Sequence, residues 1–327
     1  MKIYKKILDT LIQCEYKQIE EIMGKNFYKI HLKLIPLFIG TILSVSMGLS
    51  LWIGFFFVFI PIGLSISIGQ FVNYSGKNFE LGRRISIALI TVVFLVFLGV
   101  MQHENLQIEE TVFYFAYFIN TGIFTRVLIH YAIAKVFGPL IWGRGYCGWA
   151  CYTAALLEWL PITENKKISN KYTFIRIPVL ILSLLIPFLF IQFGYDYYNK
   201  HIYSPVLGLP FQPYKVDQFI WFLVGNIAYY IIGIILAFTF KKKRAFCKVF
   251  CPVSLVMKLP TLITFSKLRV SGNKCIECGK CNKECPMDID VMNYIKNGQK
   301  ITSTECILCG NCVKNCPVKA ITSRIFK

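Results

Sequence analysis

The sequence is poor in acidic residues and in histidine. Asp and Glu together number 17 against 36 Lys and Arg, and the 327 residues include four His. A formal charge of +19 often accompanies nucleic-acid binding. Here the basic residues gather in a few segments between long apolar runs, which indicates membrane topology and no nucleic-acid partner. Because His130 is the only histidine in such a run, a haem held by two histidines within a bilayer is not expected.

The sequence also lacks the patterns of several enzyme classes and of secreted proteins. It contains no phosphate-binding glycine loop, dinucleotide glycine pattern or Ser/His/Asp set, so we expect no binding of NAD(P)H or nucleotide. The first 33 residues carry seven lysines and no compact apolar core, which disfavours a cleavable signal peptide. The 13 cysteines are therefore expected to bind metal in a reducing compartment rather than to form disulfides.

Apolar residues, by contrast, are abundant and continuous. They make up 55% of the chain, and residues 34–72 contain no Lys, Arg, Asp or Glu. A membrane-spanning helix needs about 20 residues, so this run is long enough for two spans. We predict an all-α membrane protein in which six helices span the membrane, over residues 34–49, 51–71, 85–101, 111–134, 174–193 and 217–240.

The basic residues predict the orientation of these helices. Most Lys and Arg, 33 of the 36, lie in four segments that share one side of a six-span topology: 1–33, 72–84, 135–176 and 241–327. Positive charge favours the cytoplasmic side, so the sequence predicts a multi-pass protein of the cell membrane with both termini in the cytoplasm. The loops 102–110 and 195–216 would face the opposite side, and membrane lipid would surround the helices.

Composition divides the chain into four predicted parts. Charge and cysteine content change near residues 33, 244 and 267. The parts are an amphipathic cytoplasmic segment (1–33), a six-helix membrane domain with the first cysteine pair (34–244), a linker with the second pair (245–267) and a C-terminal cysteine-rich domain (268–327).

The C-terminal domain repeats one cysteine pattern. It reads C-x2-C-x2-C-x3-C-P twice, beginning at Cys275 and at Cys306. This spacing is typical of two [4Fe–4S] clusters, in which three closely spaced thiolates hold one cluster and the fourth reaches the other. Zinc motifs rarely show this repeat, so zinc is the weaker interpretation. The predicted ligand sets are Cys275, Cys278, Cys281 and Cys316 for one cluster, and Cys306, Cys309, Cys312 and Cys285 for the other.

A second repeat lies at the ends of two predicted helical hairpins. Residues 144–151 read RGYCGWAC and residues 244–251 read RAFCKVFC. Residues four apart share a helical face, so two such faces can offer four thiolates to a third [4Fe–4S] cluster, with Arg144 and Arg244 offsetting its negative charge. A redox-active dithiol, another metal such as copper or zinc, and a structural pair are the alternatives. The four cysteines are Cys147, Cys151, Cys247 and Cys251.

Two ionisable residues lie inside the predicted fourth span. Arg126 and His130 are four residues apart and so share a helical face. An ionisable residue in a span is a candidate functional group, which makes this pair a candidate for binding a quinone head group, relaying protons or steadying a reduced cluster. Snorkelling of Arg126 and structural burial of His130 are the alternatives. The topology predicts that both lie in the cytoplasmic half of the span.

These motifs resemble two known groups of proteins. Residues 270–322 are similar to the bacterial two-cluster ferredoxins, which carry single electrons. GRGYCGWAC, CKVFCP and this tail together resemble the polyferredoxin membrane proteins related to NapH and NosR, over most of residues 110–322. Tyr152 stands where the family pattern has proline after the first pair. A large flavin-binding domain of the NosR type is absent, so the shorter NapH-like form is the closer match.

The resemblance implies a function in electron transfer. Such proteins pass electrons between the quinone pool or cytoplasmic donors and partners on the far side of the membrane. For this chain it implies a cytoplasmic donor, such as a ferredoxin or flavoprotein, and a quinone or an extracytoplasmic flavin or haem protein as acceptor. The reverse direction is equally allowed. The alternative is an assembly or regulatory factor that supplies reducing equivalents for maturing a metalloenzyme, or that senses redox state.

Overall fold

The computed structural model is predominantly helical. It describes residues 33–51, 53–72, 79–104, 106–122, 124–195, 197, 216–264, 268–270 and 274–322. The amphipathic segment predicted over residues 1–33 lies outside the described residues except for Lys33, as does most of the predicted loop 195–216.

The helices and strands follow one another with short connections. In chain order they are α1 (Lys33–Ser50), α2 (Phe56–Val72, preceded by a 3-10 turn at Ile53–Phe55), α3 (Phe79–Val92, continued by a π-helix at Val93–Met101), α4 (Ile108–Thr121), α5 (Arg126–Ala132, continued by a π-helix at Ile133–Phe137), α6 (Gly138–Trp142), α7 (Gly145–Trp149), α8 (Tyr152–Glu158), α9 (Arg176–Gln192, preceded by a 3-10 helix at Asn170–Ile175), α10 (Val216–Thr239), α11 (Ala245–Val249), α12 (Val253–Val256), α13 (Lys258–Thr261), β1 (Arg269–Val270), α14 (Lys280–Lys283), α15 (Val291–Lys296), α16 (Asn311–Lys314) and β2 (Ile321–Thr322).

Five of these helical stretches are long and apolar enough to cross a membrane. They are the stretches that contain α1, α2, α3, α9 and α10. Many of their Leu, Ile, Val and Phe side chains are exposed, as expected where a helix faces lipid. The prediction of an all-α membrane protein with a C-terminal ferredoxin-like domain is confirmed.

The predicted fourth span, residues 111–134, is wrong as a single helix. Helix α4 ends at Gly122, whose φ of 71° is a left-handed conformation that glycine adopts readily and that terminates helices. The chain becomes helical again at Arg126 and remains so to Trp142. The apolar stretch Val127–Trp142 is about 24 Å long at 1.5 Å per residue, and it is the nearest equivalent of the predicted span. The break was not predicted because the residues on both sides of Gly122 are mostly apolar.

The polar residues between α3 and α4 are buried inside the bundle, although the sequence predicts a loop there. Gln102, His103, Glu104 and Gln107 are each at most 5% exposed. In the first turn of α4, Glu109 accepts hydrogen bonds from Ser183 Oγ and Tyr229 Oη, both at 2.6 Å. Helix α4 therefore begins within the bundle rather than at its surface.

The C-terminal tail, residues 268–322, packs on the rest of the chain without a separate core. Strands β1 and β2 pair antiparallel, with Val270 opposite Ile321, so the two ends of the tail meet. Buried Ile307 and Leu308 of the tail belong to the same apolar cluster as Phe246 and Met257 of the short helices α11 to α13. The tail is therefore seated against the ends of the spanning helices.

Candidate iron–sulfur centres

The two C-x3-C pairs lie on short helices where the bundle meets the tail. Cys147 is in α7 and Cys151 directly precedes α8, while Cys247 is in α11 and Cys251 lies two residues before α12. The thiols of Cys147 and Cys151 both interact electrostatically with Cys247 and with Cys251. The structure thus brings together the four cysteines that the sequence predicts as one site, and we refer to them as the edge cysteines.

Two of the edge cysteines, Cys147 and Cys247, are buried, and the other two are half-buried. Burial raises the pKa of the Cys247 thiol to about 11, with Cys151 and Cys147 adding to the rise while Arg244 and Arg144 oppose it. Burial also raises the pKa of Cys251. Such thiols stay protonated at neutral pH unless a metal displaces the proton.

Arg244 links the two cysteine pairs through Glu158. Arg244 Nε donates to Glu158 Oε1 at 2.6 Å, and Arg244 Nη1 donates to the carbonyl oxygen of Cys147 at 2.7 Å. Arg83 Nη2 reaches the other carboxylate oxygen of Glu158 at 2.9 Å. Arg83, Glu158 and Arg244 are all at most 4% exposed, so this is a buried ion pair shared by two guanidinium groups.

Arg144, the equivalent arginine of the first unit, pairs instead with the tail. Its Nη1 lies 2.5 Å from Glu305 Oε2, and Arg176 Nη2 lies 2.8 Å from Glu305 Oε1. Lys258 completes a set of three cations around this carboxylate. Burial alone would raise the pKa of Glu305, but Arg144 and Arg176 outweigh it and hold the pKa well below its usual range. Glu305, directly before Cys306, therefore anchors the tail as a carboxylate.

In the tail, Cys285 lies with the second cysteine group rather than with its own. A small cavity is lined by Cys285, Cys306, Cys309 and Cys312. The thiols of these four interact electrostatically. In the other group, Cys281 interacts with Cys275 and Cys278, and α14 packs on α16, the helix just before Cys316. This placement agrees with the prediction that the fourth cysteine of each motif binds the cluster of the other motif. The ligand assignment itself stays a prediction.

The second tail group adjoins the edge cysteines. Trp149, between Cys147 and Cys151, donates its indole N–H to the carbonyl oxygen of Leu308 at 3.0 Å. Gly148 lies so close to the tail that a Cβ atom there would be 2.1 Å from the Ile307 carbonyl oxygen. No larger residue fits without movement, so a glycine permits this approach.

A second ion-pair site fastens the tail near Cys285. Asp288 Oδ1 lies 2.7 Å from Lys242 Nζ, and its Oδ2 lies 2.5 Å from Lys248 Nζ. Asn165, in the connection after α8, donates to the carbonyl oxygen of Cys285 at 3.2 Å. Glu305 and Asp288 thus hold the tail at two points.

A cavity of about 420 Å³ lies among the helices, and its lining includes the sequence neighbours of Cys147 and Cys151. Its lining is mostly apolar and includes Tyr146, Trp149 and Ala150 near the edge cysteines and His130 farther along α5. His130 lies about 18 Å from Trp142 along the helix, at 1.5 Å per residue. Buried Lys135 places its Nζ 3.6 Å from the Tyr146 ring centroid.

The structure separates the four residues that the sequence groups as a charge or quinone site. His130 Nδ1 lies 3.5 Å from Glu104 Oε2, whereas Arg144 and Arg244 lie among the ion pairs of the edge cysteines. Arg126 begins α5 and nothing is described of its side chain. Because α5 starts there, Arg126 and His130 lie near the end of the helical run 126–142 that is far from Cys147. Their place in the cytoplasmic half of a span stays a prediction.

Sequence reasoning missed the carboxylates that organise the site. Glu158, Asp288 and Glu305 each contact cations that are distant in sequence, at separations of 40 residues or more. Glu305 and Asp288 do have a signal, because each is an acidic residue within three positions of a motif cysteine in a chain poor in acid. Their partners cannot be read from the sequence.

The residues at these sites fit [4Fe–4S] clusters. The donors are thiols, and backbone N–H groups point at the sulfurs of Cys285 and Cys316, at 3.4 and 3.2 Å. At the edge cysteines, Arg144 Nε and Nη2 and Arg244 Nη2 are buried and make no hydrogen bond to the described residues, so donors remain for the sulfides of a cluster. No described His, Cys, Asp or Glu side chains converge closely enough to hold a single metal ion.

Family models match both groups of cysteines. A 4Fe-4S dicluster domain matches residues 267–317, and a 4Fe-4S binding domain matches residues 128–167 and 227–269. The first match contains the two tail motifs. Each segment of the second contains one C-x3-C pair, in agreement with the internal repeat.

Curated relatives are distant. Two uncharacterized proteins of Methanocaldococcus jannaschii, MJ0750 and MJ0749, are 29% and 25% identical over 50% and 58% of this chain, and the matches cover 67% and 76% of their lengths. YccM of Escherichia coli K12, a protein provisionally named for electron transport, is 26% identical over 50% of this chain and 47% of its own length. No solved structure matches.

These matches do not single out the NapH and NosR type, which stays a prediction. They agree with the cysteine pattern of the tail, where eight free cysteines have the spacing of a 4Fe-4S dicluster domain. The chain is therefore an iron–sulfur protein with two [4Fe–4S] clusters in its tail and with helices long and apolar enough to span a membrane.

Proposed function

We propose that this chain transfers single electrons between a soluble donor protein and an acceptor in the membrane. The observation that carries the proposal is the seating of the tail on the edge cysteines, through the Trp149–Leu308 hydrogen bond and the close approach at Gly148. These two contacts hold the loop of Cys147 and Cys151 against the loop of Cys306 and Cys309, so the edge cysteines and the Cys306 group are close together. The name of YccM supports the same function.

Exposure of the thiols supports one order of the sites. Cys278 is exposed, Cys309 and Cys312 are buried at the junction, and Cys147 and Cys247 are buried against the bundle. A [4Fe–4S] cluster accepts and releases one electron at a time, and this is the chemistry that it supplies here. The proposed route starts at the Cys275 group, continues to the Cys306 group and ends at the edge cysteines, and it can run in either direction.

The edge cysteines are proposed to hold a third [4Fe–4S] cluster. Support comes from their convergence, from the match of the 4Fe-4S binding domain to both segments, and from the buried N–H groups of Arg144 and Arg244 without a partner among the described residues. The role of this chain's residues is to keep the site dry and to supply positive charge beside a negative cluster. A redox-active dithiol or another metal is the alternative at this site.

The acceptor is proposed to be a membrane quinone that enters the cavity beside Tyr146. A mostly apolar cavity with a few polar side chains suits a lipid-soluble ligand of this kind. Tyr146 and Ala150 line it and directly adjoin Cys147 and Cys151 in sequence, so a head group there would be close to the edge cysteines. An extracytoplasmic flavin or haem protein is the other candidate acceptor. By the charge distribution, the cysteine end and both termini are proposed to face the cytoplasm of a cell membrane.

Reconstitution in proteoliposomes tests this function. The vesicles contain menaquinone, a reductant is added on the side of the tail, and quinone reduction is followed by absorbance. We expect reduction with the native chain and its loss in Ala134→Phe, which fills the cavity, while Ile181→Phe, on a lipid-exposed position, retains it. If the clusters become reduced but neither quinone nor an acceptor inside the vesicle does, transfer to the membrane is rejected and the role in assembly or redox sensing takes its place.

A further inference from the structure

The edge of the tail around Cys278 is the point at which a donor protein can approach a cluster most closely. Of the twelve motif cysteines, all within the described residues, Cys278 alone is exposed. Beside it, Ile276 exposes 59% of its surface. A single exposed aliphatic side chain is common on any surface, so the proposal depends on the charges around the exposed thiol.

The exposed surface of the tail is basic. Within residues 274–322, seven lysines and three carboxylates are exposed, which is an excess of four positive charges. The lysines are Lys274, Lys280, Lys283, Lys296, Lys300, Lys314 and Lys319, and the carboxylates are Glu277, Glu284 and Asp290. The two remaining carboxylates of the tail, Asp288 and Glu305, are taken up by cations of the short helices and of α9. Two of the five carboxylates of the tail therefore hold it to the bundle, and the exposed side chains that remain carry a net positive charge.

Lysines flank the exposed thiol on both sides. Lys274 and Lys280 bracket the Cys275–Cys278 loop in sequence, and the Lys296 Nζ lies 2.6 Å from Glu277 Oε2, which brings a third lysine beside the same loop. We refer to Lys274, Ile276, Glu277, Cys278, Lys280 and Lys296 as the donor face, in which three lysines outnumber one carboxylate. It has an apolar centre and a charged rim, which is the usual arrangement in a protein–protein contact.

We propose that the donor face docks an acidic one-electron carrier protein. Opposite charges on the two proteins would orient the carrier so that its redox group meets the edge at Cys278, and complementary rim charges raise the association rate more than the lifetime of the complex. Ile276 would be buried at the centre of the contact. The inference rests on the proposed electron-transfer function and adds the place of entry and the charge of the partner.

The test compares two double variants with the same change of charge. Lys280→Glu/Lys296→Glu reverses two charges of the donor face. Lys171→Glu/Lys241→Glu reverses two exposed lysines that flank spanning helices α9 and α10. Iron content and the visible spectrum first establish that each protein holds its clusters. Binding of a strongly acidic flavodoxin to the full chain in detergent is then measured by fluorescence anisotropy, and cluster reduction by stopped flow.

We expect the donor-face variant to lose about tenfold in affinity at low salt and most of its dependence on ionic strength, with the control variant within about twofold of the native chain. Equal losses in both variants, or no loss in either, would overturn the proposal. Loss of binding to vesicles of anionic lipid, with flavodoxin binding intact, would also overturn it and assign the face to the membrane surface.

Dithionite separates this inference from the function on which it rests. It is small enough to reduce the clusters without a docking site. If dithionite drives quinone reduction in every variant while flavodoxin binds none of them, the relay stands and the donor face is wrong. If flavodoxin binds through the donor face but its electrons never reach quinone, the donor face stands and the relay is wrong.

Discussion

Arg244 Nε lies 2.6 Å from Glu158 Oε1, with both side chains buried. The contact joins the two repeats, because Arg244 begins the second C-x3-C unit and Glu158 ends the helix after the first. A buried charge that loses its partner lowers the stability of the fold. Any movement that separates the two units would leave Arg244 or Glu158 without its partner. The pair therefore determines how the two cysteine pairs face each other.

Replacing Glu158 by Gln should disrupt this junction. It leaves Arg83 and Arg244 buried without their shared counter-charge, and we expect a loss of about 3–5 kcal/mol in stability, seen as a lower midpoint of thermal unfolding in detergent. Glu164, an exposed carboxylate paired with Lys241, provides the control, since Glu164→Gln breaks only a solvent-screened pair and should leave the midpoint nearly unchanged. Equal midpoints for the two variants would contradict the assigned role of Glu158.

The stability that Glu158 supplies should depend on pH in one direction. Burial alone would raise its pKa, but Arg83 and Arg244 outweigh burial and hold the pKa well below the ordinary value of 4.5. A carboxyl with a lowered folded-state pKa stabilises the fold above its unfolded pKa, and this contribution declines as the pH falls below that value. The difference in unfolding midpoint between the native chain and Glu158→Gln should be constant from about pH 8 to about pH 5 and shrink below pH 4.5. A difference that grows with acidification would show that the pair is absent.

Glu305→Gln should loosen the tail while leaving its cysteines intact. The carboxylate serves three cations but is 21% exposed, so the expected loss of roughly 2–3 kcal/mol is below that of a fully buried pair. Hydrogen exchange of α16 should become faster, while iron content stays at the native value. Glu284→Gln, at an exposed carboxylate of the tail, should leave exchange unchanged, and faster exchange in both variants would argue against an anchoring role for Glu305.

The sequence predicts composition-driven features of this fold well. Uninterrupted apolar runs locate five spanning helices, because a helix in lipid must be apolar over its whole length. The cysteine spacings likewise predict which thiols come together, since ligand spacing is local and is imposed by the cluster. Both kinds of information lie within short stretches of chain.

Features that depend on long-range contacts could not be predicted. The break at Gly122 depends on a single glycine in an otherwise apolar run. The burial of Glu104 and the half-burial of Glu109 depend on imidazole and hydroxyl groups of other helices. The anchors at Glu158 and Glu305 join residues up to 161 positions apart. A single sequence records that these acidic residues exist but not which cation each one meets.

Gly148→Ala should separate the tail from α7. A Cβ atom at this position would be 2.1 Å from the backbone oxygen of Ile307, whereas the nearest atom to a Cβ at Gly145, in the same helix, is 3.3 Å away. Overpacking of this kind costs about 1–3 kcal/mol, so we expect faster exchange at Leu308 and slower electron transfer from the tail to the edge cysteines. Gly145→Ala serves as the control, and matching effects of the two substitutions would show that helix composition rather than the contact is responsible.

The number of iron atoms per chain tests the role of the edge cysteines. Three [4Fe–4S] clusters correspond to about 12 iron and 12 sulfide per chain, and two clusters to about 8 of each. We expect the higher value in the anaerobically purified chain and the lower one in Cys147→Ser/Cys247→Ser, together with the loss of one signal in the low-temperature EPR spectrum of the reduced protein. Cys14→Ser, at the cysteine that fits no motif, should change neither measurement. About 8 iron in both the native chain and the double variant would reject the third cluster, because a redox-active dithiol, another metal or a structural pair at the edge cysteines adds no iron.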